Sequence, residues 1–142
     1  MKRFALSAAI LFAGTNIFAT KVLRAPEKST LSNVISIANV NDFKAFIKNN
    51  KNPIVVEVFS ATCPACSKIA PTVTELAQKY PQINFIQVKY QDAESIVDYL
   101  DRSVFEVSSF PTFIFYKNSE VKGSLVGANK DKLKNQVAAI AS

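Results

Sequence analysis

The sequence contains no histidine and no tryptophan, only two cysteines and only three glycines. Without histidine the chain cannot form a Ser-His-Asp triad, a Cys-His nucleophile pair, or a histidine-ligated zinc, copper or haem site. Two cysteines are too few for a four-cysteine zinc site or an iron–sulfur cluster within one chain. Three glycines leave no room for a GxGxxG motif or a P-loop. We therefore expect no metal and no cofactor, and chemistry that depends on the cysteines.

The rest of the composition is that of one globular domain. The 142 residues are 49% hydrophobic and 20% charged, which excludes a disordered chain and allows a core without structural disulfides. Lys and Arg number 17 against 11 Asp and Glu, which gives a formal net charge of +6. Because the basic residues do not cluster with aromatic residues, we expect no nucleic-acid partner.

The first 33 residues differ in character from the rest. Met1-Lys2-Arg3 is basic and residues 4–19 are uncharged and mostly apolar, which is typical of a secretory signal peptide cleaved after Ala19. An uncleaved inner-membrane anchor and a buried core helix are the alternatives, although the run is shorter than the roughly 20 residues that span a bilayer. Residues 20–33 predict a polar linker, and residues 34–142 form the domain. A signal or an anchor predicts export to the periplasm or cell envelope, where disulfide chemistry is permitted.

Hydrophobic patterns along the domain predict alternating strands and helices. A nearly continuous β-branched run at residues 54–59 predicts a strand covered on both faces. Asn41-Asp42 and Asn129 are the predicted caps of the first and last helices, and Pro71 is expected to kink the second. The predicted strands are 34–37, 54–59, 83–88, 112–116 and 121–126, and the other predicted helices are 63–80 and 92–100. The order β-α-β-α-β-α-β-β-α predicts an α/β sandwich around a mixed sheet, in which the second and third strands are parallel and the last two antiparallel.

The motif Cys63-Pro64-Ala65-Cys66 lies between a predicted strand and a predicted helix. Residues three apart in a helical turn come close enough for a disulfide after a small adjustment, so this bond can form and open without moving the fold. The loop it closes is too short to constrain an unfolded chain, which favours a redox role. Because a helix N-terminus stabilises a thiolate, Cys63 is the predicted nucleophile and the more buried Cys66 resolves the mixed disulfide. The alternatives are an inert structural pair and half of an intermolecular metal site.

Four segments resemble, in order, motifs of the thioredoxin family. Residues 54–63 resemble the strand that leads to the family's active site, and Cys66–Pro71 resembles its proline-containing helix. Phe110–Asn118 resembles its cis-proline strand and hairpin, and Val126–Ala128 resembles the turn before its last helix. The resemblance covers residues 34–142 and implies the thioredoxin fold, a central mixed sheet flanked by helices on both faces.

The resemblance also implies a client-binding surface beside the cysteines. The peptide bond before Pro111 would be cis, so that the backbone at Phe110 pairs with a bound client strand. From the sequence alone, an ordinary trans proline at a strand start is equally consistent. Thr62, which stands where the family usually has tryptophan, would contact the client together with Pro64 and Ala65.

A further implied residue is Glu57, which stands where the family often has a buried aspartate. Burial raises the pKa of a carboxyl group, and such a group can pass a proton to or from Cys66. The alternative is a glutamate on a solvated strand edge.

These features predict a thiol–disulfide oxidoreductase that acts on protein or peptide clients outside the cytoplasm. Because no histidine lies between the cysteines to stabilise the Cys63 thiolate, we expect a reductant or isomerase more than a strong oxidant. Either direction requires a redox partner, a membrane reductant or an oxidase. The alternative is a thioredoxin-fold binding module or assembly factor whose disulfide is not catalytic.

Overall fold

The computed structural model describes residues 34–142, which form a five-stranded mixed sheet with four α-helices. In chain order the elements are β1 (Val34–Ser36), α1 (Val40–Asn49), β2 (Ile54–Phe59), α2 (Pro64–Lys79), β3 (Asn84–Lys89), a 3₁₀ turn (Tyr90–Asp92), α3 (Glu94–Ser103), β4 (Thr112–Lys117), β5 (Glu120–Val126) and α4 (Lys130–Ala141). Across the sheet the order is β1-β3-β2-β4-β5; β1, β3 and β2 run parallel, whereas β4 and β5 are antiparallel to their neighbours. The predicted element order and strand directions are confirmed.

Helices pack on both faces of the sheet, so the central strand β2 is buried on each side. On one face, alternate residues of β2 pack against α1 and α3, and this core includes Ile54, Val56, Val58, Phe43, Ile96 and Leu100. On the other face, Val55 packs against α2 and α4, with Ile69, Val73, Leu133 and Val137. A strand with two buried faces has no solvent-facing positions, which accounts for its nearly continuous β-branched run.

Two helices begin elsewhere than the sequence predicted. The N-cap of α1 is Asn39, not Asn41-Asp42: its Oδ1 accepts the backbone N–H groups of Asn41 (2.8 Å) and Asp42 (3.2 Å). A short amide side chain satisfies the free N–H groups two and three residues ahead of it, so the earlier asparagine caps the helix. Helix α3 begins at Glu94 rather than Asp92, because the chain first forms the 3₁₀ turn, and it continues to Ser103.

The predicted cap of α4 and the predicted hairpin turn between β4 and β5 are confirmed. Asn129 caps α4 by accepting the N–H of Lys132 at 2.9 Å. Asn118 and Ser119 both have positive φ, the conformation of the two-residue turns that match the twist of a β-hairpin. Helix α2 continues across Pro71, which lacks the N–H for one bond of the helical ladder.

The predicted signal or anchor (1–19) and linker (20–33) lie outside the described residues. Within residues 34–142, no helix is both long enough and apolar enough to cross a membrane.

Candidate active site at the carboxyl end of the central strand

Cys63 lies where β2 ends and α2 begins. Its backbone is extended (φ −97°, ψ 105°), and its N–H donates to the carbonyl oxygen of Ser60 at 3.2 Å. It is the N-cap of α2, and its carbonyl accepts the N–H of Ser67 at 3.3 Å. Pro64 occupies the first position of the helix, where its missing N–H costs no hydrogen bond. The local sequence therefore holds the Cys63 sulfur at the positive end of the helix dipole.

Cys63 and Cys66 form a disulfide, with Cα atoms 5.3 Å apart, inside the range that disulfides usually span. The backbone N–H of Cys66 donates to the Cys63 sulfur at 3.1 Å. Cys66 is only 6% exposed, whereas Cys63 is half-buried. The N–H group that caps the Cys63 sulfur also stabilises a thiolate at that position once the disulfide opens.

Glu57 is the one charged residue in β2, and it is 3% exposed. In the parallel register it lies beside Gln87 of β3, whose Nε2 donates to a Glu57 carboxylate oxygen at 2.9 Å. The alternative of a glutamate on a solvated strand edge is therefore wrong. Burial raises the pKa of Glu57 above its ordinary value of 4.5, and the hydrogen bond from Gln87 offsets part of that rise.

Glu57 and Cys66 line the same cleft, which has a volume of about 210 Å³. The other lining residues are Phe59, Ser60, Ala61, Ser67, Ala70 and Gln87. The volume exceeds what one water molecule requires, and the lining includes polar atoms to which water can bind. A proton could therefore pass through this cleft between the carboxyl group and the Cys66 sulfur.

The segment before β4 lies at the same end of the sheet. The Phe110–Pro111 peptide bond is cis, Pro111 is buried, and its carbonyl oxygen accepts the N–H of Gly127 at 2.8 Å. Thr112, the next residue, pairs with Val58 near the end of β2. This register brings the proline loop alongside the strand that leads to the cysteines.

Residues of the 3₁₀ turn complete this end of the molecule, and the sequence analysis missed them. The ring of Tyr90 lies 5.2 Å from that of Phe110, centroid to centroid. Gln91 donates from Nε2 to Ser60 Oγ at 2.7 Å and accepts the N–H of Ala61 on Oε1 at 3.3 Å. Gln87 was missed as well, because the predicted strand 83–88 also contains Asn84 and one more amide in it gave no signal.

The other predicted contact residues surround Cys63 in the chain. Thr62 and Pro64 are exposed and Ala65 is half-buried. Their role in client binding stays a prediction, as does that of Phe110 and Pro111. Within residues 34–142, no three Cys, Asp or Glu side chains gather into a set that could hold a metal ion.

Comparisons with known proteins identify the family of this chain. The family model described as Thioredoxin matches residues 34–139. The chain is 34% identical over 102 residues to a thioredoxin of Ophiophagus hannah (71% of this chain, 92% of that protein). It is 39% identical over 109 residues to Thioredoxin H4-1 of Oryza sativa subsp. japonica (76% and 79%).

Solved structures give the same result. The reduced thioredoxin pre-protein of Schistosoma mansoni superposes with a TM-score of 0.67 at 30% identity, over 75% of this chain and 97% of that chain. The thioredoxin of Trypanosoma brucei brucei, at 21% identity, supports the fold alone, with a TM-score of 0.71 over 80% and 96% of the two chains. A strand-to-helix cysteine pair, a mixed sheet of this order and these relatives lead to one conclusion: the chain belongs to the thioredoxin family of thiol–disulfide oxidoreductases.

Proposed function

We propose that this protein reduces or isomerises disulfides of protein clients outside the cytoplasm, with Cys63 as the attacking sulfur. One observation carries the chemical part of the proposal: the half-buried Cys63 sulfur accepts the Cys66 N–H at a helix N-terminus, while the buried Cys66 shares a cleft with Glu57. An attacking sulfur must be accessible and favoured as a thiolate, and a resolving sulfur must be protected until the mixed disulfide forms.

The proposed cycle transfers two electrons to the client. The Cys63 thiolate attacks a client disulfide, forms a mixed disulfide and releases the first client sulfur as a thiolate. Cys66 then loses its proton to the Glu57 carboxylate and attacks the Cys63 sulfur, which closes the Cys63–Cys66 disulfide and releases the second client thiolate. The client is reduced and the enzyme oxidised, so a partner dithiol must reduce the enzyme before the next cycle.

Glu57 suits the proton-transfer step because of its surroundings. Desolvation raises its pKa, which brings the carboxyl group closer to the pH at which it both accepts and returns a proton. The cleft that Glu57 shares with Cys66 supports this role, because the proton would pass through it. Glu57 would return the proton when the partner opens the disulfide.

The client would bind along the proline loop. The backbone at Phe110, next to the cis bond, would pair with an extended client segment, while Thr62, Pro64 and Ala65 would contact the residues beside the client disulfide. The exposure of Thr62 and Pro64 supports this role, since a client must meet them before it meets the sulfur.

The direction and the compartment are proposed from the sequence. No histidine lies between the cysteines, which removes one stabiliser of the thiolate and favours a reductant or isomerase over a strong oxidant. The basic start followed by an uncharged apolar run at residues 4–19 supports export to the periplasm or cell envelope, and attachment to the inner membrane if that run is retained.

The reduction potential of the cysteine pair tests the direction. The protein is equilibrated with glutathione buffers of known poise, and the fraction of free thiol is measured. We expect a reduction potential of about −270 mV, the value typical of thioredoxin. A potential of about −120 mV, typical of strong oxidants, would contradict the proposed direction.

A double variant, Cys63→Ser with Cys66→Ser, tests catalysis against binding. We expect it to lose all reduction of a disulfide-bonded protein substrate. If cells that carry only this variant behave like those with the parent protein, the chain is a binding module or assembly factor instead.

The mass of the protein isolated from fractionated cells tests export: loss of residues 1–19 supports a cleaved signal, and a full-length cytoplasmic protein contradicts it.

A further inference from the structure

The loop Ser60–Thr62, which precedes Cys63, has only small side chains to hold it. Its conformation depends on hydrogen bonds, and most of them involve Ser60. The Ser60 carbonyl accepts the N–H of Cys63, and the Ser60 Oγ accepts the N–H of Thr62 at 3.4 Å and lies 3.3 Å from the Thr62 hydroxyl. A shift of Ser60 therefore moves the backbone of Cys63.

Gln91 binds this loop through both the nitrogen and the oxygen of its side-chain amide. Its Nε2 donates to Ser60 Oγ at 2.7 Å, and its Oε1 accepts the N–H of Ala61 at 3.3 Å. The two partners are neighbours in the loop, so the planar amide constrains both the position and the orientation of the loop. Gln91 is about 30 residues away in the sequence, and these bonds connect the end of β3 to the end of β2.

The 3₁₀ turn that carries Gln91 makes one further contact with the proline loop. Tyr90 contacts Phe110, the residue before the cis-proline. Within the turn, the exposed side chains of Lys89 and Asp92 form an ion pair at 2.9 Å. The turn thus contacts the cysteine loop through Gln91 and the proline loop through Tyr90.

We propose that Gln91 is a positioning residue, which holds the Ser60–Thr62 loop so that the Cys63 sulfur stays aligned with the N–H of Cys66 and with an incoming disulfide. The proposal rests on Cys63 being the attacking sulfur, as proposed above. It requires no contact between Gln91 and the client or the sulfur. Gln91 acts through Ser60 on the geometry of the nucleophile.

The test is a double-mutant cycle between Gln91→Met and Ser60→Ala. Methionine keeps the length of glutamine and makes neither hydrogen bond, and alanine removes the Ser60 hydroxyl. Two rates are measured on the reduced proteins: alkylation of Cys63 by iodoacetamide from pH 5 to 9, and attack on a disulfide-bonded peptide. Gln82→Met, on an exposed glutamine in a turn, is the matched control.

We expect Gln91→Met to slow attack on the peptide about tenfold at pH 7, the size expected for two modest hydrogen bonds. The pH midpoint of alkylation should move upward, because a displaced sulfur loses the stabilising N–H. Ser60→Ala should act in the same direction, and the double variant should be little worse than either single variant. The control should match the parent protein.

Two results would overturn the proposal. In the first, Gln91→Met matches the parent in both rates. In the second, the two substitutions lower the urea midpoint of unfolding with additive effects while the alkylation profile stays unchanged, which is the behaviour of a purely structural contact. A parent protein that is alkylated normally yet exchanges with no disulfide would refute the proposed function instead, and the alkylation profiles would still report on Gln91.

Discussion

Replacement of the buried carboxylate should make the protein more stable and less active. Glu57→Gln keeps the shape of the side chain and an oxygen that can accept the hydrogen bond from Gln87, but it removes the ionisation. In the folded protein, burial raises the pKa of Glu57 above its ordinary value of 4.5. Ionised Glu57 is therefore a cost to folding that the glutamine variant does not carry.

The gain in the free energy of unfolding on Glu57→Gln should increase with pH. Below about pH 4.5, Glu57 is protonated in both the folded and unfolded states, and the variant should match the parent. Above that pH the unfolded chain loses the proton first, so the stability of the parent falls until the folded-state pKa is passed. The variant's advantage should then level off at about 1.4 kcal/mol for each unit by which folding raises the pKa.

Urea unfolding of the oxidised proteins at pH 4, 6 and 8 measures this difference. Glu75→Gln is the matched control, because Glu75 lies on the surface with its side chain 60% exposed and forms only a 3.7 Å ion pair with Lys134. We expect the control to change stability by less than about 0.5 kcal/mol, nearly independently of pH. A Glu57→Gln difference that does not vary with pH, or that is destabilising at pH 8, would refute the burial argument.

The same variant should resolve mixed disulfides slowly. At pH 7 we expect release of a client from Cys63 to slow by about a hundredfold, the lower end of what a positioned general base contributes. Rapid acid quenching followed by mass spectrometry should reveal accumulated mixed disulfide. Release at the parent rate would show that Glu57 does not take the Cys66 proton.

Substitutions at three further positions test the core, a turn and a helix cap by urea unfolding. Leu100→Ala should cost about 3 kcal/mol, because Leu100 is fully buried in the core under α3; a loss below 1 kcal/mol would mean that this core is loosely packed. Gly127→Ala should cost about 1–2 kcal/mol from backbone strain alone, since φ is +90° and no residue beyond its chain neighbours lies within 4 Å of the added methyl group; unchanged stability would contradict that conformation. Asn129→Ala should cost about 1 kcal/mol through loss of the α4 cap, whereas Asn129→Ser should restore most of it.

The sequence predicts the layout of the fold because its strongest local signals agree with the tertiary structure. The β-branched run of β2 indicated burial on both faces, which the structure confirms, whereas the burial of Glu57 was expected only through the family resemblance. The start of α1 was predicted two residues too late, because Asn39 and Asn41 are both suitable N-cap residues. Asn39 prevails over Asn41 by accepting two N–H groups.

The residues that sequence analysis missed owe their roles to contacts between distant segments. Gln87 and Gln91 bind partners about 30 residues away, and nothing local distinguishes them from solvated glutamines. The cis bond before Pro111 is likewise a property of the assembled loop; it was expected only through the family resemblance. Local patterns therefore locate the cysteine pair, while the contacts of Gln87 and Gln91 become visible only when the strands align.

The parallel direction of β1 determines which end of the sheet lies next to a tether attached ahead of the domain. The chain enters the fold at Val34, and β1 runs parallel to β3 and β2 towards the end that carries Cys63. The register places Val34 level with Val55, near the start of β2, so this point lies about 13 Å before the end of β2 at Phe59, at four steps of about 3.3 Å each. A tether joined to the chain at Val34, such as an immobilising tag on a sensor surface, would therefore attach at the end of the sheet opposite the cysteine pair.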